Sequence, residues 1–163
     1  MTNPGCGPIH SSMKVVAHNR RARFDYEILD TVEAGIVLIG GEVKSCRGGQ
    51  VNLSGAYVSF LGGKPFLKKA KISAYKFAAL QPGARAPGYE PERDRELLMK
   101  KSEAERLRAR AEEKGMTIVP LEVRAGKYIK VLLGVGRGRK TLDKRQRIKE
   151  RETSRRLREG RDL

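Results

Sequence analysis

The sequence predicts a small, mainly β protein: an OB-like antiparallel barrel of about six strands, with short flanking helices and a basic tail that is disordered in isolation. Three observations carry this. Short segments of strand character recur between glycine- and proline-rich turns. Only one long stretch has firm helix signals at both ends. The chain is also small, at 163 residues, and strongly basic, with 35 Lys plus Arg against 19 Asp plus Glu and a formal charge of +16. OB-like barrels commonly bind nucleic acid across one face, although the step from fold to function is an analogy.

Taken in order, residues 1–13 are rich in Gly, Pro and Ser and are expected to be disordered. Residues 14–135 form the barrel and 136–163 the tail. Lys14 to Arg23 is a basic lead-in. The first strand is expected near Phe24, with Tyr26 and Ile28, ahead of a turn around Asp30. Ile36, Val37, Leu38 and Ile39 are four consecutive aliphatics closed by Gly40-Gly41, which reads as a strand buried on both sides. Glu42 to Arg47 lacks strand alternation and suits a short helix, with its acid first and its bases later, as the helix dipole favours. Gly48-Gly49 ends it. This corner is expected to present Glu42, Lys44, Ser45 and Arg47 to a partner.

A hairpin follows, with arms at 56–61 and 64–67 around Gly62-Gly63. Pro65 lacks a ladder donor and suggests a sheet edge. Ile72 to Tyr75 suits a short helical turn, and residues 81–93 an exposed loop. Leu97, Leu98 and Met99 suit a short buried strand. Ser102 with Glu105 makes a capping box and Gly115 a stop, with Ala104, Leu107, Arg108 and Ala111 sharing one helix face. The last hairpin spans 117–123 and 127–135 around Ala125-Gly126. Val119, Leu121 and Val123 alternate in one arm, and Ile129, Val131, Leu133 and Val135 in the other, giving one inward face. Gly134, Gly136 and Gly138 then mark a hinge. Residues 137–163 hold twelve Lys or Arg against five acids, about +7. With no continuous apolar stripe, this tail is expected to be disordered alone and to fold as a helix on a polyanion.

No segment is apolar and long enough to span a membrane, and the N-terminus lacks the apolar core of a signal peptide. A cytoplasmic location and no membrane partner are expected. Cys6 and Cys46 match no metal spacing, and with only His10 and His18 to add, no metal and no cofactor are expected. Gly134-Val-Gly136-Arg-Gly138 lacks both the later glycine of a dinucleotide fingerprint and the Lys-Ser/Thr of a P-loop. No catalytic constellation is present, so the protein is not expected to be an enzyme. Its basic excess, rich in arginine, favours a nucleic acid. Arg20, Arg21, Arg23, Lys44 and Arg47 suit phosphates, while Asn19, Glu33, Glu42 and Ser45 suit base edges or a ribose hydroxyl. These are equally the residues of an ordinary solvated surface.

The segments Gly40-Gly-Glu-Val-Lys-Ser-Cys-Arg-Gly-Gly49, Asn19-Arg-Arg-Ala-Arg23 and Asp143-Lys144-Arg145 resemble the SmpB family, the bacterial SsrA-binding proteins, over roughly residues 14–155. The resemblance implies an OB-type barrel whose Gly-Gly turn, Glu-Val-Lys-Ser segment and acid at Glu33 lie in the surface that holds the tRNA-like domain of tmRNA. Gly41 and Lys127 join that candidate set. It also implies that the tail enters the decoding centre and mRNA channel of stalled ribosomes as a helix, with Arg137, Arg139, Lys140, Asp143, Lys144, Arg145, Ile148, Lys149 and Arg151 as candidate contacts. Elongation factor Tu and alanyl-tRNA synthetase are implied partners in the same pathway. Two positions depart from the family pattern: Phe24 stands where His is usual, which replaces a polar contact by stacking or core packing, and Leu142 stands where His or Tyr is common. A monomer is expected.

Two other readings compete. One is a ribosomal or ribosome-assembly protein that grips rRNA without tmRNA. The other is a nonspecific single-strand binder, disfavoured by a chain with five Tyr, four Phe and no Trp, because such binders rely on base stacking.

Overall fold

The computed structural model describes residues 13–75 and 89–160. Expectations for 1–12, for the 81–88 part of the predicted loop and for the last three residues lie outside the described residues, as do the side chains of Thr141 and Leu142. The elements run β1 (Lys14–His18), α1 (Arg20–Asp25), β2 (Tyr26–Ile36), α2 (Gly40–Arg47), β3 (Val51–Asn52), β4 (Tyr57–Leu61), β5 (Lys64–Lys68), β6 (Lys71–Ile72), β7 (Arg95–Leu98), α3 (Lys101–Glu112), β8 (Met116–Ala125), β9 (Ile129–Gly138) and α4 (Thr141–Glu159).

The mainly β, antiparallel expectation holds. Seven strands form one sheet in the order β1-β8-β9-β2-β7-β5-β4, and β3 pairs with β6 in a small second sheet. The large sheet curls until β4 lies against β8. No ladder joins those two strands among the described residues, so the barrel is not closed by hydrogen bonds. Its interior is filled by Leu67, Ile72, Leu97, Leu107, Ile118, Val131, Leu133 and Val135.

Local signals placed several elements well. Gly62 and Gly63 both have positive φ, 59° and 79°, and join β4 to β5. A two-residue turn with φ > 0 at both positions matches the twist of the flanking strands. β5 nevertheless lies between β4 and β7 rather than at an edge. Pro65 is tolerated because the β5–β7 ladder uses only Phe66 and Leu67. α3 buries Ala104 and Leu107 as expected. It starts two residues earlier than the Ser102 capping box, with the Glu103 carboxylate accepting the Lys100 N–H at 3.2 Å.

Other expectations are corrected. The first strand, expected near Phe24, is β1 at Lys14–His18, which pairs with β8; Phe24 lies in α1, which Asn19 caps by accepting the Ala22 N–H at 3.1 Å. The turn expected at Asp30 is a bulge between Ile28 and Asp30 inside the eleven-residue β2. β2 ends at Ile36, and Val37 and Ile39 are exposed. Residues 73–75 form no helical turn, and Ile72 belongs to β6.

β8 does not keep one inward face. A bulge between Pro120 and Glu122 shifts its register, at a residue that cannot donate to a ladder. Ile118 and Val123 therefore enter the main core, while Val119 and Leu121 pack with Ala22 in a second cluster. The glycines expected to form a hinge lie inside β9 instead. A Cβ on Gly134 would sit 2.8 Å from Leu121 Cδ1, and one on Gly136 2.9 Å from the Glu27 carbonyl. They are there so that β2 and β8 can approach closely.

From Thr141 to Glu159 the tail runs as the helix α4. α4 carries Asp143 in its first turn, and an Arg155–Glu159 pair at 2.7 Å lies one turn apart near its end. Its start is tied to the barrel: the Arg139 N–H donates to the Asp25 carbonyl at 2.9 Å, and Lys144 pairs with the Asp25 carboxylate at 3.0 Å.

Replacing Gly136 by Ala should lower unfolding free energy by about 1–3 kcal/mol in urea titrations, because backbone, not a flexible side chain, meets the new methyl group. Gly138→Ala, whose nearest neighbour is Tyr26 Cε1 at 4.0 Å, should be tolerated. Equal costs at the two positions would contradict the close-approach account.

Candidate nucleic-acid interface

The corner at residues 40–49 folds as the glycine punctuation suggests, but Glu42 does not face a partner. It is 1% exposed. Its Oε1 accepts Arg93 Nε at 2.9 Å and Arg95 Nη2 at 2.7 Å, and its Oε2 accepts Arg93 Nη2 at 2.6 Å and the Ile39 N–H at 3.1 Å. Arg95 is wholly buried and also donates to the carbonyls of Ala70, Arg93 and Pro91. Tyr89 donates to the Ile72 carbonyl at 2.7 Å beside them. Burial alone would raise the Glu42 carboxyl. The guanidinium bonds and the Ile39 N–H outweigh it and hold the group below its ordinary value. One carboxylate thus ties α2 to β6 and to the chain entering β7.

Two further candidates are structural. Asn19 is buried, and its amide donates to the carbonyls of Leu53 and Pro120 at 3.0 and 2.9 Å. Ser45 is buried, with no partner for its hydroxyl. Beside it, burial pushes the Cys46 thiol up to about 12, so it is inert at neutral pH. Cys6 lies outside the described residues. No group of His, Cys, Asp and Glu able to hold a metal occurs among the described residues, and no helix there is long and apolar enough to cross a membrane.

The remaining corner residues do face outward. Lys44 lies over the Tyr75 ring at 5.2 Å, and Arg47, three residues along the same helix, reaches the Lys127 carbonyl at 3.5 Å. Lys127 in turn lies over Tyr128 at 5.6 Å. Among the described residues no carboxylate pairs with Lys44, Arg47 or Lys127. Gly41 is half-buried in the first turn of α2. Beside them a groove of about 390 Å³ is lined by Ile36, Leu38, Val43, Leu98 and Ile129, with Arg47, Lys127, Tyr128 and Lys130 at its mouth. Leu98 is 56% and Tyr128 66% exposed.

Next to the groove an alternating line of charge crosses β8, β9 and β2. Arg23 donates to Glu122 at 3.2 Å, Arg124 bridges Glu122 and Glu33, each at 3.2 Å, and Lys130 donates to Glu33 at 2.9 Å. Hydrogen bonding from Lys130 is the main reason the Glu33 carboxyl sits below its ordinary value; partial burial opposes it, and the Arg124 charge assists. Arg20 is exposed on α1, and Arg21 pairs with Asp25 at 3.3 Å. Phe24 neither stacks in the core nor stands alone: the Arg151 guanidinium lies over its ring at 5.5 Å. On the tail side, Arg137 projects from the end of β9, and Lys140 precedes α4. Asp143, Arg145, Ile148 and Lys149 are exposed along that helix, whereas Lys144 and Arg151 turn back onto α1.

The opposite flank differs. Lys64, Lys68 and Lys71 each meet an acid, Glu96, Asp94 and Glu92, at 3.2–3.3 Å. Among the described residues Lys44, Arg47 and Lys127 differ from these three lysines in meeting no acid. Lys130, Arg124 and Tyr128 were not taken from sequence as site residues, and Leu98, expected in a buried strand with Leu97, faces outward instead. The available signal was register: Lys130 and Leu132 alternate on the outer face of β9, beside Gly35 and Glu33.

A family model described as SmpB protein matches residues 16–161. The chain belongs to the SmpB family. An SsrA-binding protein from Anaeromyxobacter dehalogenans (strain 2CP-C) is 49% identical over 146 residues, covering 88% of this chain and 85% of that one. Another, from Synechococcus sp. (strain JA-2-3B'a(2-13)), is 44% identical over 150 residues, covering 91% and 94%. A chain of the solved structure "tmRNA-SmpB: a journey to the center of the bacterial ribosome" superposes with a TM-score of 0.62 at 45% identity, covering 78% of this chain and 85% of that chain. These SmpB-family matches span the three sequence segments that carried the resemblance.

Removing one partner of the buried cluster leaves an uncompensated charge. Arg95→Met should cost about 3–5 kcal/mol in denaturant unfolding at neutral pH. Since the folded Glu42 carboxyl titrates below its ordinary 4.5, its stabilisation is complete above that value and is lost as pH falls through the lower, folded one. Glu42→Gln should be destabilised at pH 7 yet lose less on acidification than the unaltered protein. An identical acid response in both would contradict the assignment.

Proposed function

We propose that this protein is a non-enzymatic RNA-binding adaptor of trans-translation, acting in the cytoplasm. The face formed by α2, the β8–β9 turn and the outer side of β2 and β9 holds the tRNA-like domain of tmRNA. Helix α4 occupies the mRNA-vacant decoding centre and mRNA channel of a stalled ribosome. The observation that carries this reading is the uneven placement of charge. Among the described residues Arg47 and Lys127, which line an apolar groove with exposed Leu98 and Tyr128, and Lys44 beside them meet no acid, whereas Lys64, Lys68 and Lys71 each do. Cations supply phosphate contacts and long-range attraction, and an exposed aromatic beside an apolar groove suits an unstacked base. SsrA-binding relatives and a structural counterpart from a tmRNA–SmpB structure support the choice of RNA.

Within this reading, Lys44, Arg47, Lys127, Lys130 and Glu33 do the barrel's work. Glu42 and Ser45 act only by building the corner, and Asn19 by fixing the start of α1 against the carbonyls of Leu53 and Pro120. The exposed row Arg145, Ile148 and Lys149 is the part of α4 free to meet ribosomal RNA. Elongation factor Tu and alanyl-tRNA synthetase are partners of the same complex rather than of a surface identified on this chain.

The test is equilibrium binding, at one stated physiological salt, to a tRNA-like tmRNA fragment and to ordinary tRNA. Both the whole chain and a chain ending after Lys140, which keeps all of β9, should be compared. The expected result is a preference for the tmRNA fragment that persists without α4, with ribosome rescue lost. Equal binding to both RNAs that collapses without α4 would overturn it in favour of a generic rRNA clamp.

A further inference from the structure

We propose that Glu122 is a positioning residue that sets RNA specificity: it fixes Arg23 and Arg124 so that the charge line it heads recognises base or ribose groups rather than phosphates. This rests on the reading that the β2–β8–β9 face binds RNA. The first observation is the presence of two acids, Glu122 and Glu33, on the RNA face of a chain carrying +16. A surface selected only to neutralise phosphate would not place carboxylates there, since like charge opposes a polyanion. Three cations, Arg23, Arg124 and Lys130, face those two acids, so the line adds little net charge. Unlike it, Lys44, Arg47 and Lys127 are free to meet phosphate.

The second observation is geometric. The Glu122 side chain is only 12% exposed. Its Oε1 lies 3.2 Å from Arg23 Nη2 and 3.5 Å from His18 Nδ1, and its Oε2 accepts Arg124 Nε at 3.4 Å and Nη2 at 3.2 Å. Arg124 Nη1 then donates to Glu33 at 3.2 Å. A guanidinium has five N–H groups in one plane. Anchoring three of them to two carboxylates fixes that plane and leaves two donors with a set direction, which is what recognition of a base edge or a ribose oxygen requires. Register supports the same grouping: Leu132 lies between Glu122 and Glu33, and Lys130 between Arg124 and Gly35.

The test uses the full chain and two probes, the tRNA-like tmRNA fragment and ordinary tRNA, each titrated across a salt series. Glu122→Gln keeps the shape and removes the charge that holds both arginines. It should reduce the preference for the tmRNA fragment by about tenfold, within the range that one well-placed bidentate arginine contributes. Glu122→Asp should restore part of it, and Arg124→Lys, which keeps the charge but not the planar fork, should reproduce the loss. Lys127→Gln should instead weaken both RNAs alike and lower the salt slope by about one. If Glu122→Gln tightens both RNAs equally, Glu122 is only a repulsive charge and the proposal fails. An unchanged preference also overturns it. No preference in the unaltered protein would overturn the adaptor reading itself, and this proposal with it.

Discussion

One buried carboxylate constrains the rest of this molecule. Glu42 sits in the first turn of an eight-residue helix, and its two oxygens accept from Arg93, Arg95 and the Ile39 N–H. The wholly buried Arg95 would be untenable without it, because unpaired buried charge is far more costly than an unpaired surface one. Arg95 extends the tie by donating to carbonyls at Ala70, Arg93 and Pro91. The cluster thereby decides where α2 lies, and the placement of α2 decides where Lys44 and Arg47 point. Glu42, one of the two acids expected to touch RNA, does its work by being unavailable to it.

The same division between building and presenting recurs across the barrel. Asn19 uses both ends of its amide on backbone groups, which leaves Arg20 and Arg23 on the surface side of α1. Gly134 and Gly136 bring β2 and β8 into close approach around β9, and this carries Glu33, Lys130, Arg124 and Glu122 into one line. At the other end, Asp25 joins barrel and tail: its carbonyl holds Arg139, and its carboxylate holds Lys144. Hydrogen bonding from Lys144 is the main reason that carboxyl sits below its ordinary value, with partial burial opposing. Phe24 contributes a ring beneath Arg151, which holds the middle of the tail helix to α1.

What could be read from sequence followed the range of the interaction. The β4–β5 hairpin is specified by Gly62-Gly63 and alternation within a few residues, and α2 by glycines at both ends. Burial of Glu42 depends on arginines 51 and 53 residues away, so no local pattern announces it. A trace was present nonetheless: Arg95 and Leu97 share one face of a short strand, and an arginine at an inward position requires an acid somewhere. The bulge at Pro120 was hidden because Val119, Leu121 and Val123 alternate perfectly until one residue is counted twice against β9. High helix propensity in the tail was legible, whereas the contacts of Lys144 with Asp25 and of Arg151 with Phe24, which join α4 to α1 across more than a hundred residues, were not.

The central claim is that recognition belongs to one flank of the barrel, shaped from beneath by the Glu42 cluster. Mass-spectrometric acetylation footprinting of lysines, on the protein alone and bound to a tRNA-like tmRNA fragment, tests it most directly. The account predicts strong loss of reactivity at Lys44, Lys127 and Lys130, with Lys64, Lys68 and Lys71 unchanged. Protection of both groups alike, or of the second group alone, would contradict it.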